Sequence, residues 1–352
     1  MNSYIKDTNH TIMITRISKP HKSDSTMDIT TSTLNKSDIL SVELESPSVS
    51  ETPPPKTPLV NDKKVYLLGV SPNVKVSVDS SHYVSAPDTA QLLLSIGEKK
   101  ARYPFIKMFS LSLCAGLLLG IGGLFSIIIG KAVPSLDVGL QKVLFGFFFS
   151  LGLNVVVFSG SELFTSNCAF LVPSFIEGKY PKWLMIKSHI IVYIGNFIGI
   201  VFVSVYFGKL LGTFDSELYT TEIQKFTEKK VSLPFFKAFL SGIGCNAIVC
   251  LGVFFSNSAK DVIGKVAILS FMVTAFVAIG FEHSIANMFF LSLGEMYGAN
   301  YTSVHWIFFN LLPVTLGNFV GGTFLVGVPI WFMHFANIYE IPFLDPKKDK
   351  SY

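Results

Sequence analysis

Charge is scarce in this chain. Only 15% of its 352 residues are Asp, Glu, Lys or Arg, and 28 basic against 24 acidic side chains leave a net charge of +4. So small an excess is no electrostatic footprint for nucleic acid. Cysteine is scarcer still. Cys114, Cys168, Cys245 and Cys250 all lie in apolar runs, where a free thiol acts as a small hydrophobe, and no metal-ligand spacing accompanies them. The first 60 residues hold no apolar run of secretory-signal length, so the first membrane segment must itself direct insertion. There is no nucleophile motif, metal set or cofactor fingerprint. The expectation is a protein that is not an enzyme and uses no cofactor.

What the chain has in abundance is apolar sequence, unevenly spread. Half of it is hydrophobic and its mean hydropathy is +0.50. Residues 1–83 are rich in Ser, Thr, Pro and Lys, with Thr52-Pro-Pro-Pro-Lys-Thr-Pro58 among them, and read as a disordered cytoplasmic tail. Residues 84–103 read as an amphipathic helix capped by Asp88, with Ala90, Leu93, Leu94 and Ala101 on one face, lying on the membrane surface. Residues 104–340 carry six apolar stretches, at 108–130, 143–176, 188–208, 238–259, 266–294 and 296–339. A simple span needs ~20 residues, so the second, fifth and sixth are over-long. Residues 341–352 form a short C-terminal tail. Lys and Arg concentrate on the side that holds both termini, which places them in the cytoplasm.

The second and fifth stretches share one pattern. Gly160-Ser-Glu162-Leu-Phe-Thr-Ser-Asn167 and Gly280-Phe-Glu282-His-Ser-Ile-Ala-Asn287 both read G-x-E-x-x-x-x-N, 120 residues apart. Gly195-Asn196 and Gly199 return as Gly317-Asn318 and Gly321, 122 residues on. Three spans per repeat is an odd number, so the second copy inserts upside down. The fold predicted is an all-α membrane protein of six transmembrane helices, an inverted three-plus-three repeat with broken second and fifth helices.

A carboxylate in hydrocarbon costs several kcal/mol, so matched Glu162 and Glu282 have a job. Broken helices free backbone N–H groups that lipid cannot satisfy. The two carboxylates, with Asn167 and Asn287, are read as structural loop clamps for those groups rather than as substrate contacts. His283 has no counterpart, since Leu163 stands in its place. A histidine on an apolar face is ordinarily a core residue, but at mid-span it is a pathway residue by default. Phe149 and Leu153, one turn apart, with Phe158, Phe164 and Phe276, are large enough to form hydrophobic gates or simply to pack.

These motifs resemble the formate/nitrite transporter family. Phe149-Ser-Leu-Gly-Leu153 and the first G-x-E motif are similar to its second span, the segment from Gly280 to Phe289 to its fifth, Leu312-Pro-Val-Thr-Leu-Gly-Asn318 to its sixth, and Cys245-Asn246-Ala-Ile-Val249 to its fourth. The resemblance covers residues 84–340. It implies an aquaporin-like fold and a homopentamer with a pore in each protomer. It also implies residue roles. His283 is the central polar group and Thr165 faces it. Phe149 with Phe276 forms one constriction, and Leu153, Phe164 and Val249 form the other. Asn246 and Lys230 draw anions into a vestibule.

The substrate class expected is a small monovalent anion or its acid: formate, nitrite, lactate or a related monocarboxylate, carried with a proton across the plasma membrane. A voltage-driven anion channel with a charged His283, or a hydrosulfide channel, uses the same parts. His283 either relays a proton or supplies a fixed donor, and the sequence leaves both open. A water or glycerol pore lacks its paired Asn-Pro-Ala signatures here, and a membrane enzyme lacks its nucleophile.

Overall fold

The structure, a computed structural model, describes residues 6–8, 11–17, 29–35 and 83–336. It divides into two units, Met1–Val76 and Ser77–Tyr352. In the first, strands β1 (Lys6–Thr8), β2 (Thr11–Ile17) and β3 (Ile29–Asn35) pair antiparallel in that order, with Thr11 opposite Asn35 and Ile17 opposite Ile29. This differs from the expected disorder. Both long strands are rich in Thr and Ile, whose β-branched side chains favour extended backbone, and composition alone hid that. The rest of the expected tail up to residue 82, and the C-terminal tail, lie outside the described residues.

The second unit is helical. Helix α1 (Ala86–Ala101) precedes span α2 (Phe105–Gly130), and the second span is split into α3 (Val138–Ser159) and α4 (Phe164–Ile176). Span α5 (Lys182–Leu210) completes the first repeat. The second repeat runs the same way: α6 (Glu217–Val231), span α7 (Phe235–Ser258), the split pair α8 (Val262–Ile279) and α9 (Ser284–Met296), and span α10 (Ser303–His334). Among the described residues, six helices are long and apolar enough to cross a membrane.

Local sequence explains the boundaries. Pro104, Pro181 and Pro234 each stand just before α2, α5 and α7, where a missing N–H costs nothing. Asp137 caps α3 through the N–H groups of Gly139 and Leu140, and Asp261 caps α8 through Gly264. Gly160 and Gly280 end α3 and α8 in the left-handed region, at φ +67° and +91°. The sixth span starts at Ser303, seven residues later than its apolar run. Its 32 residues rise about 48 Å at 1.5 Å each, and two π stretches, Ile307–Leu311 and Thr323–Gly327, interrupt it.

The repeated glycines join neighbouring spans. A Cβ on Gly195 would strike the Ser112 hydroxyl of α2, and one on Gly317 would strike the Phe239 carbonyl of α7. Small residues at this spacing let membrane helices approach backbone to backbone. The half-helices α4 and α9 lie at the centre, with every residue from Phe164 to Ser174 and from Ser284 to Gly294 buried. Helix α1 does not spend its apolar face on a membrane surface. Leu93 and Leu94 are buried, and Gly97 lies so close to α4 that a Cβ there would meet the Phe170 carbonyl.

Candidate transport site

Each break is closed by the same set of side chains. Lys100, next to last in α1, lies 3.1 Å from Glu162 Oε1 and donates to Asn167 Oδ1 at 3.2 Å. Asn167 in turn donates to Glu162 Oε2 at 2.9 Å. In the second repeat Lys230, next to last in α6, donates to both oxygens of Glu282, at 2.9 and 3.1 Å. Asn287 donates to Glu282 Oε2 at 2.6 Å. Both carboxylates are buried, and each has its own ammonium. Such pairs offset their desolvation only when further hydrogen bonds reach the carboxylate, and each asparagine supplies one, to Oε2 of its glutamate.

A second mirrored device holds the backbone of each break. Asn196 of α5 accepts the N–H of Phe164 at 2.9 Å and donates to the carbonyls of Glu162 and Ser112, both at 2.8 Å. Asn318 of α10 accepts the N–H of Ser284 at 2.8 Å and donates to the carbonyls of Glu282, at 3.0 Å, and Gly242, at 2.8 Å. Two of the three bonds on each amide go to groups that the broken helix leaves orphaned, and the third ties the break to a carbonyl of an unbroken span, Ser112 of α2 or Gly242 of α7.

The symmetry fails at one place. Leu163 precedes α4 and makes no cap, whereas His283 precedes α9 and its Nδ1 accepts the N–H of Ala286 at 3.1 Å. With Nδ1 occupied as an acceptor, a neutral ring carries its proton on Nε2. Nε2 lies 3.0 Å from Thr165 Oγ1, so the ring donates and the hydroxyl accepts. Both residues are buried. The Phe276 ring stacks beside the imidazole, centroids 6.0 Å apart and planes at 23°.

A cavity of about 540 Å³ reaches this point from the α6 side. Phe149, Phe276 and His283 line it, as do Lys131, Lys142, Lys225, Lys229 and Lys230 and a single carboxylate, Glu282. Leu153, Phe164 and Val249 belong to the same buried core but do not line this cavity. Phe158 is exposed.

The sequence model of formate/nitrite transporters matches residues 87–332. The chain belongs to the formate/nitrite transporter family. It is 54% identical over 286 residues to a formate-nitrite transporter of Entamoeba histolytica, covering 81% of this chain and 80% of that one. It is 34% identical over 278 residues to a formate channel of Haemophilus influenzae, covering 73% and 96%. Among solved structures, an FNT family ion channel superposes with a TM-score of 0.65 at 27% identity, over 70% of this chain and 98% of its own. A pentameric formate channel with formate bound superposes at 0.56 and 33% identity, over 66% and 98%. Membership makes this a multi-pass membrane protein of a transporter and channel family, not an enzyme family.

In this formate/nitrite transporter family member, three residues, Glu162, Glu282 and Asn246, stand differently from expectation. The clamping carboxylates take their hydrogen bonds from Lys and Asn side chains, not from freed backbone N–H groups; Asn196 and Asn318 serve the backbone instead. Asn246 is not in the vestibule. It is fully buried and commits both amide N–H groups to the carbonyls of Thr165, at 3.0 Å, and Asn318, at 2.7 Å. Sequence reasoning missed Lys100 and the roles of Asn196 and Asn318. The signal for Lys100 was that α1 and α6 both end in paired lysines ahead of a span. The two asparagines stood inside the glycine repeat, where the glycines alone drew the reading.

Proposed function

We propose that this protein carries small monovalent anions, formate and related monocarboxylates such as lactate foremost, together with a proton, so that the neutral acid crosses the centre. The observation that carries this reading is the neutral His283–Thr165 couple. An imidazolium would need a second N–H at Nδ1, where Ala286 already donates, and would sit at the positive end of α9. Both neighbouring carboxylates have their charge matched by lysine. The centre therefore offers neutral hydrogen-bonding groups, His283 Nε2–H and the Thr165 hydroxyl, and no net charge for a bare anion.

A carboxylic acid titrates near pH ~4 in water, and it arrives ionised. Lys230 and the basic mouth attract it. As it loses water between Phe149 and Phe276 its anionic form becomes costly and it takes a proton from solvent. The neutral acid then accepts from His283 Nε2–H in place of Thr165. It leaves past the second constriction of Leu153, Phe164 and Val249 and gives its proton to the far side. Glu162, Glu282, Asn167 and Asn287 hold the breaks and touch no substrate. The working form is a homopentamer in the plasma membrane, with both termini cytoplasmic and a pathway in each protomer.

The test is uptake of labelled formate and lactate by proteoliposomes under an inward proton gradient. Uptake that collapses on adding an uncoupler supports the reading. Uptake indifferent to the gradient overturns proton coupling, and no uptake of either acid moves the substrate to nitrite or hydrosulfide.

A further inference from the structure

The mouth on the α6 side holds more positive charge than a monovalent substrate needs. Lys225, Lys229 and Lys230 come from α6, Lys131 from the end of α2 and Lys142 from α3. Lys230 is matched by Glu282. Lys131 and Lys225 share Glu222, at 3.9 and 3.4 Å. Lys142 and Lys229 have no carboxylate partner among the described residues. The ammoniums of Lys131 and Lys230 both lie against the Phe226 ring, 5.2 and 5.1 Å from its centroid, which fixes them to an apolar wall. Burial pushes the Lys131 pKa down. Glu222 opposes that, and Lys229 and Lys225 add to it by repulsion. The cluster is short of negative charge.

Size points the same way. A volume of about 540 Å³ lies within the range of pockets that enclose whole organic ligands, whereas a water takes ~30 Å³. A monocarboxylate satisfies a fraction of these groups.

We propose that this vestibule is a binding site for a small di- or tricarboxylate, held by Lys142 and Lys229 together with the Phe226-bound lysines, and that its occupant blocks the pathway. Such a ligand cannot follow the substrate inward. One proton leaves it still ionised, and a second charge cannot be desolvated between Phe149 and Phe276. The blocking step rests on the substrate reading above; the binding step does not.

Citrate is the probe. Its binding to the purified full-length protein is measured by calorimetry, at an ionic strength held constant with chloride, for the wild type and for Lys142→Gln/Lys229→Gln. Exposed ion pairs are worth up to about fivefold each, so the double variant should bind citrate about fivefold to tenfold more weakly. In liposomes with citrate on both faces, wild-type KM for substrate should rise while the maximal rate holds. Absence of citrate binding, or equal binding by the variant, overturns the site. Citrate binding that weakens in the variant while neither acid is transported supports the site and overturns the substrate reading alone.

Discussion

At His283 one hydrogen bond fixes the tautomer on which the proposed pathway rests. Because Nδ1 is taken by Ala286, Nε2 is the donor, and Thr165 is its resting acceptor. His283→Phe removes that donor while keeping a ring beside Phe276, so transport should fall at least tenfold; wild-type flux in this variant would exclude both a relay and a fixed-donor role. The carboxylates behave differently. Lys100→Met leaves Glu162 buried without its cation and should cost about 3 kcal/mol, read as a lower melting temperature in detergent. Lys100→Met/Glu162→Gln should recover most of that loss; no recovery would mean that the lysine acts through packing alone. The glutamates and asparagines of the breaks were legible because each G-x-E-x-x-x-x-N motif is local. Their lysines were not. Lys230 reaches Glu282 across 52 residues and Lys100 reaches Asn167 across 67, and only the folded chain brings them together.

The broken spans show which features of an element can be read from composition. Excess length, a glycine and a carboxylate marked both breaks, and the helices end at Ser159 and Ile279, directly before those glycines. Helix α6 was not foreseen. It lies in a charged connection whose buried residues, Ile223, Thr227 and Val231, form a stripe at four-residue spacing too sparse to stand out. The strands of the first unit were hidden for a similar reason. The breaks also offer a test free of packing. A Cβ on Gly160 or Gly280 would meet nothing within 4 Å, so Gly160→Ala and Gly280→Ala isolate the left-handed backbone. Each should cost ~1–2 kcal/mol. Gly317→Ala, which drives into the Phe239 carbonyl, should cost more. Equal melting temperatures across the three variants would contradict this ordering.

At the scale of the molecule, the inverted repeat supplies two matched clamps and one mismatch. Duplication accounts for the Lys–Glu–Asn sets and the Asn196/Asn318 pair, while the exchange of Leu163 for His283 makes a single polar centre. The outer surface is apolar, with Ile186, Ile190, Ile194 and Ile198 forming an exposed stripe along α5 suited to lipid or to a neighbouring protomer. Native mass spectrometry from detergent should give five copies; a monomer retaining full transport would separate function from assembly.

The central claim is that the acid crosses neutral, with His283 uncharged. Proton and substrate flux should be measured together in proteoliposomes while a potassium gradient with valinomycin clamps the voltage. The account predicts one proton per formate or lactate and a rate unchanged between negative and positive potentials. A flux that follows voltage, with no accompanying proton, would contradict it and make the protein an anion channel.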